Sequence, residues 1–307
     1  MKQAKVVVVG SSNTDMVVKT PRIPAPGETV LGDNFVMAAG GKGANQAVAA
    51  ARLGAETFFV ARVGNDVFGD RAIASIGTAG VNTRYILKDD RAPSGVALIS
   101  VDVNGQNSIV VASGANAKLT PADVDNAREV FEQCDVVVLQ LEIPIDTVGR
   151  AIALARELDK IVVLNPAPAM IFPDYFLRGV DVLIPNEVEA GMLVGKKLDE
   201  HFTAVDAAKV LLERGVGSVV VTLGPRGSVA VTHDRVQQIP PRRVNAVDTT
   251  AAGDCFTGGL ATALAEGKEL GQAVYFANAA AALSVTLLGA QTSMPDRAQV
   301  EAFIAKR

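Results

Sequence analysis

The sequence has only two cysteines and two histidines, no run of 18 apolar residues and no block of basic charge. Each scarcity narrows the function. Cys134 and Cys255 lie far apart with no metal-ligand spacing, as suits a reducing cytosol, and Cys255 reads as a small buried thiol. His201 and His233 sit in polar, loop-like stretches, too few and too distant for a zinc site or a histidine-based triad. Formal net charge is -4, with Lys and Arg spread along the chain, which argues against nucleic acid as a partner; an anionic substrate has to be gripped locally. The opening residues run into a valine-rich strand without a signal-like apolar core, so the chain is expected in the cytoplasm with no membrane partner. No Gly-x-Gly-x-x-Gly follows that strand, which counts against a Rossmann dinucleotide site and an oxidoreductase.

What is present has the pattern of an α/β protein. At a prior of roughly 150 residues per domain, 307 residues allow two domains or one large unit. With 49% hydrophobic and 20% charged residues the composition is globular. Residues 5–9 form an apolar run closed by Gly10, as in a parallel strand buried on both faces. Further strands are expected at 56–63, 135–141, 160–164, 181–184, 216–223 and 243–247, with helices at 47–53, 66–76, after Thr120-Pro121, at 252–265, 273–288 and at the end. Pro21, Pro24, Pro26 and Gly27 rule out a helix over 17–37, where apolar positions alternate; 95–101 and 107–111 alternate about Asn104-Gly105, a type I′ hairpin signal. These two segments are candidates for a small accessory sheet. Elsewhere strands and helices alternate without a break in composition or a repeat, which predicts one three-layer α/β domain.

One stretch organises the rest: Asp248-Thr249-Thr250-Ala251-Ala252-Gly253-Asp254, read as a strand-to-helix turn. The first helical amides, those of Ala252 and Gly253 included, have no partner within the helix and carry the positive end of its dipole, so the turn suits an anion. Asp254 then lies close to that anion, placed to take a proton from a hydroxyl attacking a phosphoryl group; equally, an acid there simply caps the helix. Asn13 and Asp15 follow the first strand, where open α/β sheets bind ligands, and either bond sugar hydroxyls or are ordinary loop polars. A second glycine turn, Ala39-Gly40-Gly41-Lys42-Gly43-Ala44-Asn45-Gln46, opens an Ala-rich helix stopped at Gly54. It is not a Walker A loop, because Gly rather than Ser or Thr follows the Lys and the leading glycine is missing; its amides can still hold hydroxyls or an anion, with Lys42 and Asn45 projecting. Glu142 closes a strand as a site acid or a loop-facing one. Asn186 and Glu189, three apart on one helical face, can orient a hydrated magnesium ion. Gly224-Pro225-Arg226-Gly227 either meets a nucleotide phosphate or is a plain hairpin turn.

Residues 40–47 and 248–254 resemble, in order and separation, the two motifs of the ribokinase-like (PfkB) sugar kinases, and Asn186 with Glu189 is similar to that family's Asn-x-x-Glu magnesium motif. The likeness runs over essentially the whole chain, Asn165-Pro166-Ala167-Pro168-Ala169 included. It implies a three-layer α/β/α ribokinase-like fold with a mostly parallel central sheet, residues 1–307 as one kinase domain. Insertions at residues 12–36 and 94–112 would form a small β-sheet lid that also pairs two subunits into a homodimer. The implied reaction is ATP-dependent phosphorylation of the 5-hydroxyl of D-ribose, with Asp254 as base and the amides of Ala251, Ala252 and Gly253 as anion hole. Ribose would be held by Asn13, Asp15, Gly41, Lys42, Asn45 and Glu142; ATP by Asn186, Thr222, Gly224, Gly227, Gly253 and Asn278; magnesium, through water, by Glu189. A potassium site maps onto Asp248, Thr250, Ser284, Leu287, Gly289 and Ser293, where a cation would order the anion-hole loop. Ala251 stands where many members have glycine.

The near alternatives are 2-deoxyribose, fructose or a nucleoside as acceptor. Asn13-x-Asp15 resembles the ribose enzymes more than the deoxyribose ones, and with 5% aromatic residues the chain has little to stack on a nucleoside base. A non-catalytic sugar or nucleotide sensor is the alternative of another class, although a sensor has no use for a base at Asp254.

Overall fold

The computed structural model describes residues 3–171 and 173–306. β1 (Lys5–Val9), β2 (Asn13–Lys19) and β3 (Phe35–Gly40) lead into α1 (Lys42–Arg52), followed by β4 (Glu56–Gly64), α2 (Val67–Thr78), β5 (Val81–Asn82) and β6 (Ile86–Asp89). Next come β7 (Gly95–Val101), β8 (Asn107–Ala112), α3 (Pro121–Asn126), α4 (Arg128–Gln133), β9 (Val136–Leu139), α5 (Ile145–Glu157), β10 (Ile161–Leu164) and β11 (Val182–Leu183). The remainder comprises α6 (Glu187–Val194), α7 (Ala204–Glu213), β12 (Ser218–Thr222), β13 (Ser228–Val231), β14 (Val236–Ile239), α8 (Ala252–Ala265), α9 (Leu270–Ser284) and α10 (Arg297–Ala305).

Four consecutive valines leave β1 no polar face, and it takes an inner place in the main sheet, parallel to β4 on one side and β9 on the other. The order is β14-β13-β12-β11-β10-β9-β1-β4-β5, with β6 also on β4; the pairs β12–β13 and β13–β14 are antiparallel and the others parallel. Alternate residues of β1 serve different cores. Val6 and Val8 pack with residues of α1, α8 and α9, whereas Val7 and Val9 pack with those of α4, α5 and α7, which gives the helix-sheet-helix layering. Among the described residues no helix is long and apolar enough to cross a membrane.

The two expected accessory segments form a second sheet, β3-β2-β7-β8, in which β2 and β7 are parallel and the outer pairs antiparallel. Its strand β3 runs on to Gly40 and so delivers the chain directly into the glycine turn before α1. The turn at Asn104-Gly105 is not type I′. The Asp102 carboxylate accepts the N–H groups of Asn104 (2.8 Å) and Gln106 (2.9 Å), and Gly105 has φ 77° while Asn104 does not cross to positive φ, so the loop has three residues and ends in a bulge. Residues 243–247 join no strand. Pro240 and Pro241 lack the N–H groups that would extend β14, and Val247 donates instead to Val285 O at 2.7 Å, just past α9, which itself stops at Ser284 rather than at residue 288.

Candidate active site

After β1 the chain turns through Ser11 and Ser12 into β2, and α1 starts against this turn. A Cβ on Gly41 would lie 2.6 Å from the Asn13 nitrogen and one on Gly43 2.6 Å from that of Ser11, and Gly41 also has φ 88°. The motif's glycines are therefore required by contact between two backbones. The positive end of α1 does hold an anion, and it is the protein's own: Glu142 Oε2 accepts the Lys42 amide at 3.1 Å and the Ser11 hydroxyl at 2.5 Å. Asn116 fixes Asn13, donating to its Oδ1 at 2.7 Å while accepting the Ser12 N–H at 2.9 Å.

Asp254, the third residue of α8, is 6% exposed. Asn45 Nδ2 donates to its Oδ2 at 3.0 Å and Gln46 Nε2 to its Oδ1 at 2.9 Å. The carboxylate is thus turned to α1 and does not cap its own helix, whose cap residue Ala251 makes no side-chain bond either. Burial raises the Asp254 pKa; Lys42 and the two amides oppose the rise, and Glu142 adds to it. Asp15 is pushed up to about 6, by burial first and then by Glu142 and Asp254, against Lys42. Burial works against the Lys42 ammonium, but Asp254, Glu142, Glu189 and Asp15 together hold its pKa above the ordinary value. A buried carboxylate of raised proton affinity beside a fixed cation suits removal of a proton from a neutral hydroxyl.

The loop before α8 departs from expectation at one amide. Ala252 N–H donates to Thr249 O at 3.2 Å, closing the turn into the helix, whereas the amides of Ala251, Gly253 and Asp254 meet no protein acceptor among the described residues. Ala251 sits at φ 57°, ψ 16°, a left-handed backbone that costs an alanine about 1 kcal/mol. Ala251→Gly is expected to raise the calorimetric melting temperature by roughly 1–3 °C and to leave turnover within about threefold.

Gly253 opens on a cavity of about 370 Å³ shared with Asn165, Asn186, Glu189, Thr222 and Gly224; no atom stands within 4 Å of where a Gly253 Cβ would be. Across it Asn186 Oδ1 accepts the Glu189 N–H and Glu189 Oε2 the Asn186 N–H, both at 2.8 Å. This is a capping box, so the pair expected to orient magnesium also starts α6. The second Glu189 oxygen is left for a water of a hydrated cation. Burial raises the Glu189 pKa, opposed by the Asn186 amide and Lys42. Gly227 and Asn278 do not line this cavity: Gly227, at φ 86°, packs on Ile239 O, and Asn278 Nδ2 donates to Ser228 Oγ at 3.0 Å. Residues 224–227 are a hairpin turn whose first glycine reaches the cavity. A larger groove of about 740 Å³, lined by Gln237, Tyr275, Phe276 and Arg297 among others, contains none of these groups, so the chemistry assigns the site to the smaller cavity.

Three residues of the expected potassium set, Asp248, Thr250 and Gly289, are bonded to one another. Asp248 Oδ1 accepts the Thr250 N–H (2.9 Å) and hydroxyl (2.6 Å), and Oδ2 accepts the Gly289 N–H (2.9 Å). These bonds hold the Asp248 pKa below its ordinary value although burial pulls it up. Ser284 and Ser293 donate to carbonyls of their own segments, Ala281 and Ala290, each at 2.9 Å, and Leu287 is exposed. Ser11, Gln46, Asn116, Gln140, Asn165 and Gln291 belong to the site's hydrogen-bond network without having been singled out as ligands. Gln46 was signalled by its place beside Asn45, and Asn165 by heading the stretch 165–169; Ser11, Asn116, Gln140 and Gln291 are single polar residues with no local pattern.

Comparison with known proteins identifies the family. The pfkB family carbohydrate kinase profile matches residues 3–297. A Haemophilus influenzae ribokinase is 42% identical over 297 residues, covering 97% of each protein, and a Salmonella typhi deoxyribokinase is 38% identical over 301 residues, covering 98% of each. The structure of Arabidopsis thaliana ribokinase complexed with ribose and ATP superposes with a TM-score of 0.93 over 100% of both chains, at 34% identity. Matched over nearly its full length in sequence and in fold, the chain belongs to the pfkB family of carbohydrate kinases.

Proposed function

We propose that this chain transfers the γ-phosphoryl group of ATP to the 5-hydroxyl of D-ribose, giving ribose 5-phosphate and ADP. The observation that carries it is Asp254: a buried carboxylate next to the bare Gly253 amide, in reach of the same α1 that presents Lys42 and Asn45. Asp254 takes the hydroxyl proton as the sugar oxygen bonds the γ-phosphorus and the bond to the β–γ bridging oxygen breaks, its electron pair leaving with ADP. The amides of Ala251 and Gly253, without that of Ala252, stabilise the charge on the phosphoryl oxygens. Asn13, Asp15, Gly41, Lys42, Asn45 and Glu142 hold ribose, and Asn186, Thr222 and Gly224 line the nucleotide's cavity. Bound magnesium would neutralise the phosphates, with Glu189 holding one of its waters. Potassium at the Asp248 loop would fix the turn that exposes the Gly253 amide.

Relatives named ribokinase support ribose; the deoxyribokinase at 38% identity supports 2-deoxyribose as the second reading. The second sheet exposes Phe35, Val36, Ile109 and Val110, an apolar surface suited to a lid that pairs two copies. Cys134 and Cys255, both free and buried, suit the cytoplasm. ADP release measured over ribose, 2-deoxyribose, fructose and a nucleoside, with and without potassium, is expected to be fastest with ribose plus potassium. No turnover of any pentose would overturn the proposal, and a rate indifferent to potassium would remove that cation alone.

A further inference from the structure

An ionised carboxylate can only accept hydrogen bonds, so Asn45 and Gln46 must turn their NH₂ groups toward Asp254 and their carbonyl oxygens away. Each oxygen then meets another amide. Gln291 Nε2 donates to Asn45 Oδ1 at 3.2 Å, and Gln140 Nε2 donates to Gln46 Oε1 at 2.6 Å. Gln46 also donates to Asn165 Oδ1 at 3.1 Å. The two chains, Gln291 to Asn45 and Gln140 to Gln46, start on different elements and end on the two oxygens of one carboxylate. All four amide side chains are at least nine-tenths buried.

The outer ends are equally informative. Among the described residues three buried side-chain polar atoms lack a partner, and two of them are Gln140 Oε1 and Gln291 Oε1. Leaving a buried amide oxygen unpaired is destabilising. Reversing either amide would set its oxygen against that of Gln46 or Asn45. Gln140 follows β9, Gln291 lies in a 3₁₀ turn at 291–293, and each is held in this unfavourable state where its nitrogen serves a chain leading to Asp254.

We propose that Gln140 and Gln291, which bond Gln46 and Asn45 and not Asp254 itself, are positioning residues that hold the Asp254 carboxylate in its reactive orientation through these converging chains. Polarisation along each chain strengthens the final N–H bond to the carboxylate. The charged groups that face Asp254 from other elements are Lys42, Glu142, Asp15 and Glu189; the amide chains add to their field a fixed direction.

The proposal rests on Asp254 as the base, and the test separates the two. Gln140→Met and Gln291→Met remove the donor at nearly constant length; each is expected to lower kcat on ribose roughly 3- to 10-fold. For Gln140→Met the ribose KM should stay within about twofold. Combining Gln140→Met with Gln46→Met should be no slower than Gln46→Met alone, because Gln140 acts through Gln46. A loss confined to melting temperature, a loss seen in KM, or one fully additive to Gln46→Met would overturn the proposal. Should Gln140→Met or Gln291→Met fail to fold, the wild-type protein decides: by NMR, the side-chain amide protons of Asn45 and Gln46 are expected to exchange slowly with solvent, and exchange as fast as that of exposed amides would overturn it. An Asp254→Asn enzyme that keeps its turnover would sink the base and the chains together, whereas a dead Asp254→Asn beside fully active glutamine variants would sink the chains alone.

Discussion

Asp254→Asn should lower kcat by roughly 10²- to 10⁴-fold while ribose still binds. The substitution keeps the shape of the side chain and removes its ability to take a proton. It leaves Lys42, Glu142, Asp15 and Asn13 in place, so the sugar keeps most of its partners. The new NH₂ group faces a donor from either Asn45 or Gln46, and one of those amides has to rotate. That local conflict is offset by removal of a buried charge whose ionisation the site disfavours, so the variant is expected to fold. Isothermal titration with ribose and single-turnover ADP formation distinguish binding from chemistry. A kcat within tenfold of wild type would place the base elsewhere.

Asp15→Asn should weaken ribose binding and stabilise the free protein at once. Loss of a charge-assisted acceptor is expected to raise the ribose KM roughly 10- to 100-fold. In the fold Asp15 ionises near pH 6 against an ordinary 3.8. Between those values the folded chain binds more protons than the unfolded one, so this group's contribution to stability is fully present below pH 3.8 and is lost as pH rises through about 6. At pH 7 the ionised group costs the folded state roughly 1–3 kcal/mol, so the asparagine variant should melt several degrees higher there. Toward pH 4 the two proteins should converge. Thermal melts over that range check the sign, and a variant less stable than wild type at pH 7 would contradict it. Acidification through pH 6 should, for the same reason, weaken the wild-type enzyme's grip on ribose while firming its fold.

The parts of this architecture that local chemistry dictates could be read from the chain. The valines of β1, the glycines around Lys42 and the small residues before Asp254 each constrain their own neighbourhood, and strand–helix alternation fixed the layering. What escaped was set by distant partners. Asn116 meets Asn13 across 103 residues, Gln140 meets Gln46 across 94 and Gln291 meets Asn45 across 246, and a lone amide side chain carries no periodic signature. The short run 243–247 imitated a strand, while the feature that mattered was the absence of donors at Pro240 and Pro241. The rule that a helix start leaves its first amides free held at Gly253 and failed at Ala252, where a turn bond to Thr249 comes first. Glu142 was visible as an acid closing a strand; that it fills the start of α1 depends on how β9 and α1 meet.

Two helices thus begin side by side, since Asn45 in the first turn of α1 touches Asp254 in the first turn of α8, yet they are electrically unlike. The head of α1 is already matched by Glu142, and the head of α8 is uncovered. The Asp254 carboxylate and the Lys42 ammonium lie close to both starts, so what differs is the supply of unpaired backbone donors. Backbone donors for an anion are therefore withheld at the head of α1 and offered at the head of α8.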